Sequence, residues 1–156
     1  MRIVYFSAGC FWGVEKEFNT LNGVIYTTVG YMGGKLEKPT YKNVLTGKTG
    51  HAETVQVLYN PRKISYKQLC EFFFKIHDST LLNKQGLNIG TQYKSIVFYN
   101  NNRDKAIYNR DKAIYNSVLD KLKYKKRVKT LLLNRNEYIY YIAENYHQKY
   151  LKKLNY

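Results

Sequence analysis

Hydrophobic and polar positions along the chain follow two rhythms, one of strands and one of helices. Ile3-Val4-Tyr5-Phe6 is an unbroken apolar run of the kind a short buried strand carries. The small residues Ser7, Ala8 and Gly9 then lead through Cys10 into Val14-Glu15-Lys16-Glu17-Phe18, whose spacing is helical. Gly23–Tyr31 is rich in β-branched residues and predicts a strand, ended by Met32-Gly33-Gly34. Residues 39–45, with Pro39 near the start, predict a short helix. His51–Tyr59 predicts a third strand, closed by Asn60-Pro61, on which Glu53, Val55, Val57 and Tyr59 share one face. A carboxyl group therefore points towards the core.

Ser65 and Gln68 have the spacing of a capping box and open a helix with the apolar stripe Leu69, Phe72, Phe73 and Ile76. Cys70 falls just beside that stripe, among Tyr66, Phe73 and Phe74. His77 to Tyr93 is irregular and rich in turn signals, and a loop that long in a compact domain is usually functional. Ser95–Tyr99 predicts a fourth strand. Arg103–Asn109 is then repeated at once as Arg110–Asn116. Seven residues make about two helical turns, so the repeat keeps Ala106 and Ile107 in phase with Ala113, Ile114, Val118 and Leu122. One long amphipathic helix is expected. Val128–Leu133 predicts a last strand and Ala143–Leu151 a helical tail. Strands alternating with helices predict an α/β (α+β) fold, a mixed sheet flanked by helices in a single domain over residues 1–156.

Composition narrows the class. A chain of 156 residues with few Gly and Pro can bury a real core. No apolar run approaches the roughly 18 residues of a membrane span, and the chain enters its first strand too early for a signal peptide. Two cysteines without a secretory signal imply reduced thiols, so a soluble cytoplasmic protein without a membrane partner is expected. Net charge is +15 and there are 17 tyrosines, which admits a basic nucleic-acid-binding module as an alternative. The lysines are spread along the chain, densest over residues 121–127, and Asn, Tyr and Ile are inflated with them. Solvated charge without a specific nucleic-acid partner is the expectation.

The candidate chemistry begins at Cys10. A strand, a tight turn and a helix put it beside free backbone N–H groups and the positive end of the helix dipole, where a thiolate nucleophile is favoured. His51, His77 and His147 have no zinc-site spacing with the cysteines; structural hydrogen bonds, and no metal, are expected of them.

Several stretches together resemble the A class of peptide-methionine sulfoxide reductases: Gly9-Cys10-Phe11-Trp12-Gly13, Val29-Gly30-Tyr31-Met32-Gly33-Gly34, Pro39-Thr40-Tyr41 and Thr49-Gly50-His51-Ala52-Glu53. The series continues with His77-Asp78, Asn83, Gln85-Gly86, Gly90-Thr91-Gln92-Tyr93 and Ala143-Glu144 followed by Tyr146-His147-Gln148. The resemblance implies a ferredoxin-like βαββαβ core and a thiol-dependent reductase of methionine S-sulfoxide, free and in proteins. It assigns the nucleophile to Cys10, the groups around the sulfoxide oxygen to Glu53, Tyr41 and Tyr93, and the aromatic pair that receives the substrate methyl to Phe11 and Trp12. Asn88 stands where the family usually has Asp, keeping an acceptor oxygen for substrate but losing the charge. Ser79, Leu81 and Lys84 replace the usual Pro, Thr and Arg, which implies altered loop packing. A sulfoxide-binding protein with weakened catalysis is a further alternative because of Asn88.

Magnitudes bear on protonation. A helix N-terminus gives an anion about 0.3–1 kcal/mol, while a carboxylate about 6 Å away at an effective dielectric near 20 opposes it by roughly 3 kcal/mol. Repulsion wins, so Glu53 is expected to be protonated when Cys10 attacks. The resemblance implies no bound cofactor and an external thiol as reductant: thioredoxin, glutaredoxin with glutathione, or dithiothreitol in vitro. Many relatives carry resolving cysteines in a Gly-rich tail, and this sequence has none after Cys70. Cys70, mid-helix beside phenylalanines, is expected to be an inert core thiol.

Overall fold

A computed structural model describes residues 1–100, 110–122 and 127–155. In chain order the elements are β1 (Arg2–Ala8), α1 (Phe11–Phe18), β2 (Val24–Met32), α2 (Tyr41–Leu45), β3 (Ala52–Tyr59), α3 (Tyr66–Lys75), β4 (Lys84–Gln85) and β5 (Asn88–Ile89). A 3-10 turn at Thr91–Tyr93 leads to β6 (Ser95–Tyr99), α4 (Arg110–Asp120), β7 (Leu131–Asn134), β8 (Tyr141–Ile142) and α5 (Tyr150–Lys153). The six-stranded sheet runs β7-β6-β1-β3-β2-β8. β1 pairs antiparallel with β3 and β6, and β2 pairs antiparallel with β3 and β8. Four central strands thus form the ferredoxin-like βαββαβ unit, and the parallel pairing of β6 with β7 makes the sheet mixed.

Period-two alternation sorts the side chains onto two faces. Val4, Phe6, Val29, Tyr31, Val55 and Val57 turn to one face, where Phe6 stacks on Phe18 of α1 at 5.0 Å and on Phe73 of α3 at 5.2 Å. Each such ring contributes about 2–3 kcal/mol by leaving water. Tyr5, Met32, Ile96 and Phe98 turn to the other face, under Tyr138 and Tyr140 of the segment between β7 and β8. Glu53 stands across from Tyr31 on the first face, as the alternation requires.

Three expectations need correction. Residues 143–151 are not one helix: a 3-10 turn at Asn145–His147 and the short α5 take their place. Gln148 interrupts them by pairing with the backbone of β2, accepting from the Val29 N–H at 2.8 Å and donating to the Val29 carbonyl at 2.9 Å. In α3, Cys70 lies within the buried stripe and Phe72 and Ile76 lie at its edge, because α4 covers the Cys70 side through Tyr115 on Phe74 at 5.8 Å. In α4, Ala113 is exposed and the buried positions are Asp111, Tyr115 and Val118. The first copy of the repeat and most of the 121–127 cluster lie outside the described residues. The segment 77–93, irregular by sequence, contains the β4–β5 hairpin and a 3-10 turn. Among the described residues no helix is long and apolar enough to cross a membrane.

The C-terminal segment is fastened to α1 by a buried ion pair. Glu15, 2% exposed, accepts from the Lys149 ammonium at 2.8 Å, the Lys149 N–H at 2.7 Å and the Thr27 hydroxyl at 2.7 Å. The ammonium also reaches the Thr27 carbonyl. Removing one partner strands the other charge away from water. Lys149→Met should therefore destabilise the fold by on the order of 2–3 kcal/mol in urea unfolding, a value below the fully buried case because Lys149 keeps some solvent. A loss no larger than that of Lys152→Met would show that the pair does not anchor the segment.

Candidate active site

Cys10 is the N-cap residue of α1, half-buried and a free thiol. Gly9 before it has φ +97°, and a Cβ there would come within 2.8 Å of the Gln85 side chain. Only glycine lets the β4–β5 hairpin lie directly against the turn that presents the thiol. Gln85 is itself held by the Asp78 N–H at 3.0 Å.

Glu53, 2% exposed on β3, accepts the Phe11 N–H at 3.1 Å through Oε1. That N–H belongs to the first turn of α1, whose donors have no partner within the helix. Oε2 is buried and has no hydrogen-bond partner among the described residues. Burial pushes the carboxyl up to about 7, against the weaker pull of the Phe11 N–H. The Cys10 thiol is also pushed up, first by burial and then by the Glu53 charge, while the Trp12 and Gly13 N–H groups pull it down. Burial therefore outweighs the carboxylate repulsion that the sequence argument set against the helix N-terminus.

Tyr41 opens α2, whose N-cap Thr40 forms a full capping box with Asn43. Its N–H donates to Glu144 Oε2 at 2.9 Å, and its phenol is pushed up to about 12 by burial and then by Glu53. Tyr93, in the 3-10 turn after the hairpin, is raised by burial, by Glu53 and by Cys10. Cys10, Glu53, Tyr41 and Tyr93 thus come from four separate elements into one electrostatically coupled cluster. Phe11 is buried against Tyr31 at 5.8 Å and Tyr41 at 6.5 Å. Trp12 stacks on Tyr150 at 3.9 Å. Asn88 is exposed on β5 opposite Gln85, on the hairpin that covers Gly9.

A thiol, a carboxyl with a free buried oxygen, two phenols and an aromatic pair can deliver a soft nucleophile to one side of a polar bond and protons to the other. The sequence model of the family described as Peptide methionine sulfoxide reductase matches residues 2–156. This chain belongs to that family. It is accordingly an oxidoreductase that reduces methionine sulfoxide in a thiol-dependent reaction. The peptide methionine sulfoxide reductase MsrA of Methanosarcina acetivorans is 45% identical over 95% of this chain and 76% of that protein. That of Pelagibacter ubique is 45% identical over 98% and 99%. The crystal structure of Mxr1 from Saccharomyces cerevisiae in reduced form superposes with TM-score 0.82 at 34% identity, over 97% of this chain and 84% of that one. The complex of Mxr1 with Trx2 shares the fold, with TM-score 0.58 at 21% identity over 92% and 90%.

Two residues of this reductase that local pattern leaves unmarked stand against the cluster. Glu144 accepts from Tyr41 and from the Tyr31 hydroxyl at 2.8 Å. His147 accepts the Trp12 indole N–H at 3.0 Å. Both come from more than 100 residues along the chain, so only their place in the Ala143–Gln148 motif could have drawn notice. His51 bonds the Gly34 N–H and the Leu36 carbonyl, and His77 the Phe73 carbonyl and the Ser95 hydroxyl.

The raised Glu53 carboxyl has a consequence for stability. Between its ordinary value of 4.5 and about 7 the folded protein keeps a proton that the unfolded chain has released. Stability from this group is complete below pH 4.5 and is lost as pH rises through about 7. The change amounts to about 3 kcal/mol. Urea unfolding at pH 5 and pH 8 should show this decline in the wild type and a flatter dependence in Glu53→Gln. Equal slopes would mean that Glu53 is ionised in the folded protein.

Proposed function

We propose that Cys10 attacks the sulfur of methionine S-sulfoxide, free or in an exposed protein segment, while Glu53 supplies a proton to the departing oxygen with Tyr41 and Tyr93 as further donors. The observation that carries this reading is Glu53 Oε2: buried, unpartnered among the described residues, on a carboxyl pushed up to about 7. A carboxylate in that position would have an unsatisfied charge, whereas a carboxylic acid has an O–H ready for an incoming oxygen. In the reacting form the proton is on Glu53 and Cys10 is a thiolate. Phe11 and Trp12 receive the substrate methyl, and Asn88 on the hairpin offers an acceptor to the substrate backbone.

Oxygen moves from the methionine sulfur to the Cys10 sulfur. Methionine is reduced by two electrons, Cys10 is oxidised by two to a sulfenic acid, and the proton first held on Glu53 ends on the sulfenic oxygen. Two external thiols then restore Cys10, becoming a disulfide and releasing water. Yeast Mxr1 has been solved with Trx2, which supports a thioredoxin as the reductant; glutaredoxin with glutathione has the same chemistry, and no bound cofactor enters either half of the cycle. A cytoplasmic location suits a cycle that needs reduced thiols. The remaining thiol, Cys70, is fully buried and pushed up to about 12 by burial, against the Tyr66 side chain. So few such thiols ionise near neutral pH that direct reduction by an external thiol is preferred to resolution by Cys70.

After wild-type protein meets a racemic methionine-sulfoxide peptide without reductant, mass spectrometry should find a gain of about 16 daltons on Cys10. With dithiothreitol, only the S epimer should be consumed, and Cys10→Ser should be inactive. Glu53→Ala should lower kcat/KM by about 100-fold or more, and Glu53→Gln by about tenfold, because the amide still donates a hydrogen bond. No oxygen gain or derived disulfide on Cys10 would remove the nucleophile from this scheme, and equal losses in the two Glu53 variants would show that hydrogen-bond donation alone does not serve and that proton delivery from Glu53 is obligatory. Cys70→Ser should turn over at the wild-type rate with an external thiol. A Cys10–Cys70 disulfide trapped after one turnover would contradict that.

A further inference from the structure

The C-terminal segment holds a buried polar atom beside the cluster that the reduction does not use. His147 is 0% exposed, its Nδ1 accepts the indole N–H of Trp12 at 3.0 Å, and its Nε2 has no hydrogen-bond partner among the described residues. An indole N–H only donates. Nδ1 is therefore the unprotonated nitrogen, and the one proton of the neutral ring sits on Nε2. His51 and His77 use both ring nitrogens, as structural histidines do. His147 leaves one unmet among the rings of Phe11, Tyr41 and Tyr146, at 5.1, 4.3 and 4.1 Å. An apolar ring of similar shape would fill that space without a stranded donor, so packing alone does not explain a histidine here.

Its other nitrogen does. Tyr150 stacks against the Trp12 indole at 3.9 Å, and stacking by itself leaves the ring free to turn in its own plane. The Nδ1 acceptor fixes where the indole N–H edge points and hence where the rest of the ring meets the site. We propose that His147 is a positioning residue of the reduction, holding Trp12 in the one orientation that receives the substrate methyl. This rests on the role proposed for Trp12. It requires a neutral imidazole, because a second proton would occupy Nδ1 and expel the indole. The groups facing His147 are Trp12 and Phe11 from α1, Tyr41 from α2, Glu144 and Tyr146 from its own segment, and Lys153 from α5. Burial, the largest influence, disfavours the charged ring; Glu144 favours it and Lys153 opposes it.

Trp12 is the one tryptophan of the sequence, so its indole N–H gives a single signal in a proton–nitrogen correlation spectrum. In the wild type that signal should be strongly protected from exchange with water near pH 7, and its protection relative to a free indole at the same pH should fall in acid. His147→Phe should accelerate exchange about tenfold or more and raise KM for a methionine-sulfoxide peptide about tenfold, with kcat within about threefold. His147→Gln, whose amide oxygen can accept from the indole, should restore both. Should the Phe variant fail to fold, the wild-type acid titration and the Gln variant decide. Unchanged exchange in a folded Phe variant, no acid response in the wild type, or faster exchange without a rise in KM would each overturn the proposal. An inactive wild type with a protected indole would count against the proposed reduction and leave the Trp12–His147 bond intact.

Discussion

A carboxyl group held out of water with a single hydrogen bond is the constraint around which the candidate site is arranged. Glu53 shares its sheet face with Val55, Val57 and Tyr59, and among the described residues the one donor that reaches it is the Phe11 N–H from the first turn of α1. That bond ties the middle of the sheet to the helix that presents Cys10. It also leaves the second oxygen bare, so the group holds its proton until about pH 7. The raised carboxyl and the raised thiol are two results of one cause, the exclusion of water from the turn between β1 and α1.

The C-terminal segment completes what the ferredoxin-like unit begins. Within residues 144–149, Glu144 holds Tyr41, His147 holds the Trp12 indole, Gln148 pairs with the β2 backbone and Lys149 neutralises Glu15. Four attachments within six residues leave little room for regular structure, which is why the segment is broken into a 3-10 turn and one short helix. Lys149 takes a left-handed conformation (φ 54°) so that both its N–H and its ammonium face Glu15. Such backbone strain in a non-glycine residue is sustained by the charge-assisted bonds that depend on it.

The two cysteines show how environment separates identical groups. Cys10 stands half-exposed at a helix start, close to groups that can trade protons. Cys70 lies under α4, with Tyr66 beside it, and is raised to about 12. The hairpin β4–β5 adds a rim to the first: Gln85 presses on Gly9, while Leu87 and Ile89 are turned out to solvent.

The hydrophobic pattern by itself determined the four central strands, the helices of the βαββαβ unit and the inward direction of Glu53, because alternation and helical period are local properties that survive packing. The capping boxes at Thr40 and Ser65 are equally local, but only the second carries the Ser-x-x-Gln signature, Asn43 standing where the first would have Glu or Gln. What the pattern missed depends on contacts between remote segments. The buried stripe of α3 is turned towards Cys70 by α4, Ala113 is exposed because the partner surface meets Tyr115 and Val118, and the tail trades helix for side-chain bonds to α1, α2 and β2. Periodicity cannot show which neighbour covers a helix, nor that a histidine 135 positions away will accept an indole proton. Residue type fixed which groups were able to do chemistry; only the tertiary structure decided how dry each one is, and dryness sets where their protons reside.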